Sequence, residues 1–245
     1  MSNKNKVIKE FKRIKALGFI KSKRLNDTGI GKTFEDYLGV DENNFKDPDF
    51  AGYEIKSHRK SSASFVTLFT KSPTLPAKTN TLLREKYGTP EGKLKVKTFR
   101  TSVFSNKWNT YKKEFSFKIV VNDKQQTINL ISKKINGKKT SIECSWTFTE
   151  IKSAFSKLKS LFFVTAEREK KYVQEYFYFT NATIFNKPTF QKLIDLIKEG
   201  KVMVDIRLGV YSSGKNEGKA HDHGTGFRIK SNDLSFLYKD VIDVS

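Results

Sequence analysis

From Pro48 to Lys56 the chain reads Pro-Asp-Phe-Ala-Gly-Tyr-Glu-Ile-Lys, and this segment constrains the fold more than any other. Tyr53 to Ser57 has the character of a strand, and residues two apart in a strand share a face. Glu54 and Lys56 therefore point to one side, while Ile55 points to the other, into a core. Asp49 precedes the strand, and the small residues Ala51 and Gly52 suit a tight turn that folds it back beside Glu54. Two carboxylates and one ammonium thus converge on one spot.

The remaining pattern is mixed. Val7, Phe11, Ile14 and Leu17 recur at helical spacing, and Thr33 to Leu38 reads as a second, short helix. Strands are expected at 65–69, at several places in 98–146, at 161–166, at 172–179, at 202–210 and at 227–229. Pro188 is expected to open a helix that Gly200 closes, and a last helix follows Asn232. The fold class is α/β, a mixed sheet with flanking helices. Two lobes are expected: 1–92 with 145–185 around the carboxylates, and 93–144 with 186–245.

Charge decides what the constellation is for. Lys and Arg number 47 against 26 Asp and Glu, a net charge of +21. Self-repulsion on that scale costs folded stability, so a polyanionic partner is its natural explanation. Phosphate backbones reward such a surface through counterion release. A D-x4-E-x-K spacing is frequent by chance and describes an ordinary surface Glu/Lys pair equally well. Beside this charge it points to phosphodiester hydrolysis. Asp49 and Glu54 are hard oxygen ligands suited to one or two Mg2+ ions. Lys56 is placed to orient water or to stabilise charge on the phosphate. Glu35, at the edge of the apolar side of its helix, is a further candidate for that site.

Other classes fit less well. The longest apolar runs, such as Leu161 to Val164, are too short to span a bilayer. Cys144 is the single cysteine, which excludes an internal disulfide, and no long apolar stretch occurs in residues 1–15, so the cytoplasm is the expected compartment. Three histidines and one cysteine are too few for a typical closed zinc site. Gly29-Ile30-Gly31-Lys32-Thr33 imitates a nucleotide phosphate loop, but it lacks the first glycine and the long buried strand before it.

A second chemically rich strand lies late in the chain. Val204, Ile206, Leu208 and Val210 alternate with Asp205, Arg207, Gly209 and Tyr211. A polar loop through Lys219 follows, then His221-Asp222-His223-Gly224-Thr225-Gly226-Phe227-Arg228. Arginine reads guanine edges with paired hydrogen bonds, and aspartate accepts from cytosine. The plainer alternative is a hairpin with a solvated basic loop, and most lysines there suit phosphate contact rather than base reading.

Several of these segments together resemble the MvaI/BcnI family of restriction endonucleases, nearer to its MvaI-like members. They are Thr28 to Asp36, Pro48-Asp49-Phe50, Glu54-Ile55-Lys56, Leu68-Phe69-Thr70-Lys71-Ser72-Pro73, Val204-Asp205-Ile206-Arg207 and His221 to Thr225. The likeness spans nearly the whole chain, with 93–139 matching poorly. It implies a PD-(D/E)XK fold related to the nicking enzyme MutH, in a monomer whose catalytic and recognition lobes clasp double-stranded DNA. It also implies a catalytic set of Asp49, Glu54 and Lys56 with Glu35 beside them. Asp205, Arg207, Tyr211, Lys219, His221, Asp222, His223 and Arg228 are then the DNA-binding residues. The implied target is CCWGG rather than CCSGG, with a cognate DNA methyltransferase as functional partner. The rival readings are a MutH-like strand-nicking repair enzyme and a non-catalytic basic DNA-binding module.

Overall fold

The computed structural model describes residues 1–24, 28–40, 48–60, 65–91, 95–211, 214–222 and 224–244. In chain order the elements are α1 (Asn3–Lys15), β1 (Ile20–Lys21), α2 (Gly29–Leu38), β2 (Glu54–Arg59), β3 (Phe65–Thr70), α3 (Thr79–Tyr87), β4 (Thr89–Glu91), β5 (Val96–Val103), β6 (Phe115–Asn122) and β7 (Thr127–Lys134). There follow β8 (Ser141–Thr147), α4 (Phe148–Phe155), β9 (Ser160–Lys171), β10 (Gln174–Pro188), α5 (Phe190–Lys198), β11 (Val202–Val210), β12 (Ala220–Asp222), β13 (Gly226–Lys230) and β14 (Tyr238–Asp243). Short 3-10 turns span Ser156–Lys159 and Ser231–Leu237. Among the described residues no helix is long and apolar enough to cross a membrane.

The chain forms two compact units. The first comprises Met1–Val66, Ser156–Thr189 and Leu234–Ser245; the second comprises Thr67–Phe155 and Phe190–Asp233. The boundaries drawn from sequence lie elsewhere. Residues 67–92 and 145–155 go with the second unit because β3 pairs with β13 and β8 pairs with β7. The last dozen residues go with the first because β14 pairs with β10.

In the first unit the sheet runs β1-β10-β9-β2, with β14 also on β10. β2 lies parallel to β9, with Glu54, Ile55 and Lys56 opposite Leu161, Phe162 and Phe163. One face is covered by α1 and α2. Val7, Phe11 and Ile14 of α1 fall at i, i+4 and i+7, a spacing that gathers them on one side of a helix. With Ile30, Phe34 and Leu38 of α2 they bury Ile55, Phe162, Val164, Phe179 and Ile184. The rings of Phe11 and Tyr53 meet Phe162 at 6.0 and 6.4 Å.

In the second unit one sheet runs β3-β13-β11-β5-β4, with β12 also on β11, and a separate three-stranded sheet runs β6-β7-β8. Tyr87, Phe99, Tyr111 and Phe117 form an aromatic cluster with centroid distances of 4.9–5.7 Å. Phe227 stacks on Phe69 at 4.9 Å and takes the edge of Trp146 at 5.6 Å.

Three expectations change. The segment 172–179 is part of a longer strand that begins at Gln174, and Tyr172 is instead a turn residue with φ 56°. Pro188 ends β10 rather than opening the helix, which starts two residues later. The expected last helix is a 3-10 turn followed by a strand: Val241 and Ile242 pair with Phe185 and Ile184, and this sheet contact outweighs local helical spacing.

Phe162 has no exposed surface and lies on the neighbouring strand opposite Ile55, between Glu54 and Lys56. Phe162→Ala should cost about 3–5 kcal/mol of stability, and Phe162→Leu clearly less, measured by urea unfolding followed by circular dichroism.

Candidate active site and recognition face

The tight turn before β2 forms as its residues suggest. Phe50 and Tyr53 exchange both backbone hydrogen bonds, at 3.1 and 2.8 Å, across Ala51 and Gly52. Both turn residues have positive φ, 49° and 79°. Two successive positive φ values define the turn whose twist matches a hairpin, and a small residue followed by glycine tolerates it well. The turn brings Asp49 back onto the strand, where Oδ2 accepts a hydrogen bond from the Ile55 N–H at 2.8 Å. Asp49 is thereby fixed within one residue of Glu54.

The alternation of β2 holds. Ile55 is 2% exposed within the helix-covered core, and Glu54 and Lys56 share the other face. Glu54 is itself buried, at 7% exposure. The Lys56 Nζ donates to Glu54 Oε1. Glu54 Oε2 is buried with no hydrogen-bond partner among the described residues. A buried carboxylate oxygen without a donor is costly, and in a native structure it calls for an ion, a water or a catalytic role. That orphaned oxygen, beside the anchored Asp49, fits a hard divalent cation.

Glu35 lies in α2 as expected, but its carboxylate leans back along the helix, with Oε1 3.8 Å from where a side chain on Gly31 would begin. Among the described residues no three His, Cys, Asp or Glu side chains are gathered where they could hold a metal. The turn thus fixes Asp49 beside the strand that carries Glu54, and Glu35 stands on α2.

Two residues near this site were not singled out from the sequence. His58 continues the Glu54–Lys56 face by one more pleat, is 8% exposed, and lies with its ring 6.0 Å from Phe163. The same period-two count would have found it. Tyr238 is buried against Phe185, with ring centroids 5.1 Å apart. Burial pushes its phenol upward, and the negative charge of Glu54 pushes it further in the same direction. The hydroxyl therefore keeps its proton. No local signal marks Tyr238, because it enters from a strand that sequence reading takes for a helix.

In the second unit, β11 also keeps its alternation. Val204, Ile206 and Leu208 are buried in the core. Asp205 and Arg207 stand on the other face, opposite Ser102 and Arg100 of β5. Arg228 joins them from β13, where it pairs with Met203. Asp205 is 8% exposed and organises this face. Its Oδ1 accepts from Ser102 at 2.9 Å, its Oδ2 accepts from Arg228 at 2.8 Å, and Arg207 lies 3.7 Å away. The Nε and Nη2 of Arg207 both donate to the Gly224 carbonyl, at 3.3 and 3.2 Å.

Asp222 is held from three sides. Its Oδ1 accepts from the Gly224 N–H at 2.7 Å, and its Oδ2 accepts from Ser72 at 2.6 Å and from Asn80. Gly224 has φ +82°, and a Cβ there would lie 3.2 Å from two carbons of Thr70. The backbone of Lys71 bonds to the Thr225 carbonyl at 2.9 Å. The segment Thr70-Lys71-Ser72 is therefore the floor under the turn that presents the carbonyl gripping Arg207. Tyr211 and His221 stack at 4.1 Å beside it. Lys219 is exposed, with its Nζ donating to Asn216. His223 lies outside the described residues.

The profile of the MvaI/BcnI restriction endonuclease family matches residues 8–238. A solved structure of the restriction endonuclease MvaI with a cognate DNA substrate is 34% identical, covers 98% of each chain and superposes with a TM-score of 0.91. A structure of MvaI in the absence of DNA, also 34% identical and covering 100% of this chain and 99% of that one, gives 0.64. No curated protein matches. The chain belongs to the MvaI/BcnI restriction endonuclease family, and is by that membership a site-specific deoxyribonuclease of Type II.

Proposed function

We propose that this enzyme binds double-stranded DNA and hydrolyses it with Mg2+ within CCWGG, using the first unit for catalysis and the second for recognition. The observation that carries the catalytic half is the pair Glu54 and Lys56 on one face of β2, with Asp49 anchored to the Ile55 amide. Asp49 and Glu54 would hold the cation, which supplies charge neutralisation at the phosphate and a more acidic water. Lys56 presents its ammonium beside the same carboxylate and acts on the phosphate or the attacking water. Glu35 belongs to the set through its place on α2 and the family resemblance.

The braced arginines support the recognition half. A base edge is read by donors in fixed geometry, and a guanidinium offers two in one plane. Arg207 and Arg228 are fixed by Asp205 and the Gly224 carbonyl. Asp222, with its oxygens taken by three donors, serves as a brace for that turn. Tyr211, Lys219, His221 and His223 complete the proposed DNA-binding set. We take the enzyme to act as a monomer in the cytoplasm alongside a methyltransferase that protects the same site.

Digestion of a long mapped DNA with Mg2+ should give fragments whose sequenced ends lie in CCWGG, and EDTA should prevent cutting. Ends in CCSGG would overturn the specificity, single-strand nicks alone would favour the MutH-like reading, and tight binding to intact DNA would favour a non-catalytic module. Asp49→Ala should abolish cleavage while specific binding survives. Lys56→Ala should slow single-turnover cleavage by about 10²–10³-fold, and a wild-type rate in either variant would remove that residue from the site. Gly224→Ala should weaken binding to the cognate duplex by tenfold or so, with binding to unrelated DNA preserved in a competition titration.

A further inference from the structure

β5 carries a residue that alternation places among the recognition arginines. Phe99 and Val103 are buried without exposed surface, while Arg100 and Ser102 stand on the opposite face. Ser102 is opposite Asp205 and donates to it, and Arg100 is directly opposite Arg207. Residues so paired on adjacent strands have their Cβ atoms roughly 5 Å apart, and like charges there repel.

Arg100, Arg207 and Arg228 share this face with Asp205, and Arg100 pairs with Glu91 at 3.2 Å. That ion pair is open to water, with side chains 52% and 45% exposed, so it is weak and easily exchanged. Glu91 stays ionised: a hydrogen bond from Thr98 is the largest cause holding its carboxyl below the usual range, and Arg100 adds to it. The Arg100 guanidinium can therefore exchange Glu91 for an anion from outside.

Arg100 differs from its neighbours in how it is held. Arg207 and Arg228 bond to a backbone carbonyl and a buried carboxylate, which fixes their donors. Arg100 is held by an exposed carboxylate on a three-residue strand. Base reading needs fixed donors, whereas a phosphate contact rewards charge and tolerates movement.

We propose that Arg100 contacts a DNA phosphate flanking the bases addressed by Arg207 and Arg228, an assignment that rests on the DNA-binding reading above. Arg100→Ala and Arg100→Lys can be titrated in EDTA against a cognate duplex and a duplex lacking the site, over a range of salt. Arg100→Ala should weaken both complexes alike, by about tenfold near 0.1 M salt, and should reduce the slope of log K against log salt by about one. Arg100→Lys should keep the slope, and circular dichroism melting should be unchanged in both. An unchanged slope in Arg100→Ala, or a loss confined to the cognate duplex, would overturn the phosphate contact. If the wild-type protein binds neither duplex, the DNA-binding reading itself fails; if it binds both and Arg100→Ala is indistinguishable from it, Arg100 alone is misassigned.

Discussion

A carboxylate and an ammonium on a largely buried strand are tolerated only if each answers the other, and this constraint governs the first unit. Ionised groups lose water when a sheet face is covered, and removing one partner leaves the other charged and uncompensated. Glu54 and Lys56 satisfy each other on one face because strand geometry puts residues two apart side by side. Their shared face is available because the opposite one is filled by Ile55 and the α1–α2 core. The helices thus hold β2 by its apolar side and leave the charged side for chemistry. The pairing is incomplete at Glu54 Oε2, and an incompletely paired buried carboxylate is what a metal ligand requires.

The second unit applies the same alternation to another task. Its strand β11 buries Val204, Ile206 and Leu208 and presents Asp205 and Arg207 between them. Here the buried acid serves as a fixed counter-charge. It accepts from Ser102 and Arg228, so that the arginines would lose little freedom on meeting the proposed ligand. The turn at Gly224 adds a carbonyl grip on Arg207, and Asp222 locks that turn to Ser72 and Asn80. The placement of Asp222 and Gly224 and the motif at 68–73 are therefore one structural device, although 150 residues separate Ser72 from Asp222.

That distance explains what the sequence could and could not disclose. Strand periodicity is local, so the faces of β2 and β11 were legible, and the positive-φ turn at Ala51-Gly52 was legible from its small residues. The roles of Ser72, Asn80 and Ser102 depend on which strands become neighbours, and periodicity carries no such information. Arg100 looks like any surface arginine until β5 is paired with β11. Tyr238 was hidden for a related reason: its strand exists because β10 offers it an edge, not because its own residues demand one. Asp222 reads from sequence as an acid near the bases, and its three donors become visible only once the strands are placed.

The large positive charge and the braced arginines do different physical work. Most of the described lysines are exposed or half-buried, and such charge acts through the summed field, which raises affinity for any polyanion and fades with salt. Such a field cannot tell one sequence from another. Discrimination has to come from donors whose positions are set before the ligand arrives, because a mobile donor can satisfy many acceptors at similar cost. In the proposed reading those donors are the few cations tied to Asp205 and to the Gly224 carbonyl. On that reading selectivity should be sensitive to neutral residues such as Ser72, Asn80 and Gly224, which hold Asp222, while removal of an exposed lysine such as Lys219 should change affinity without changing preference.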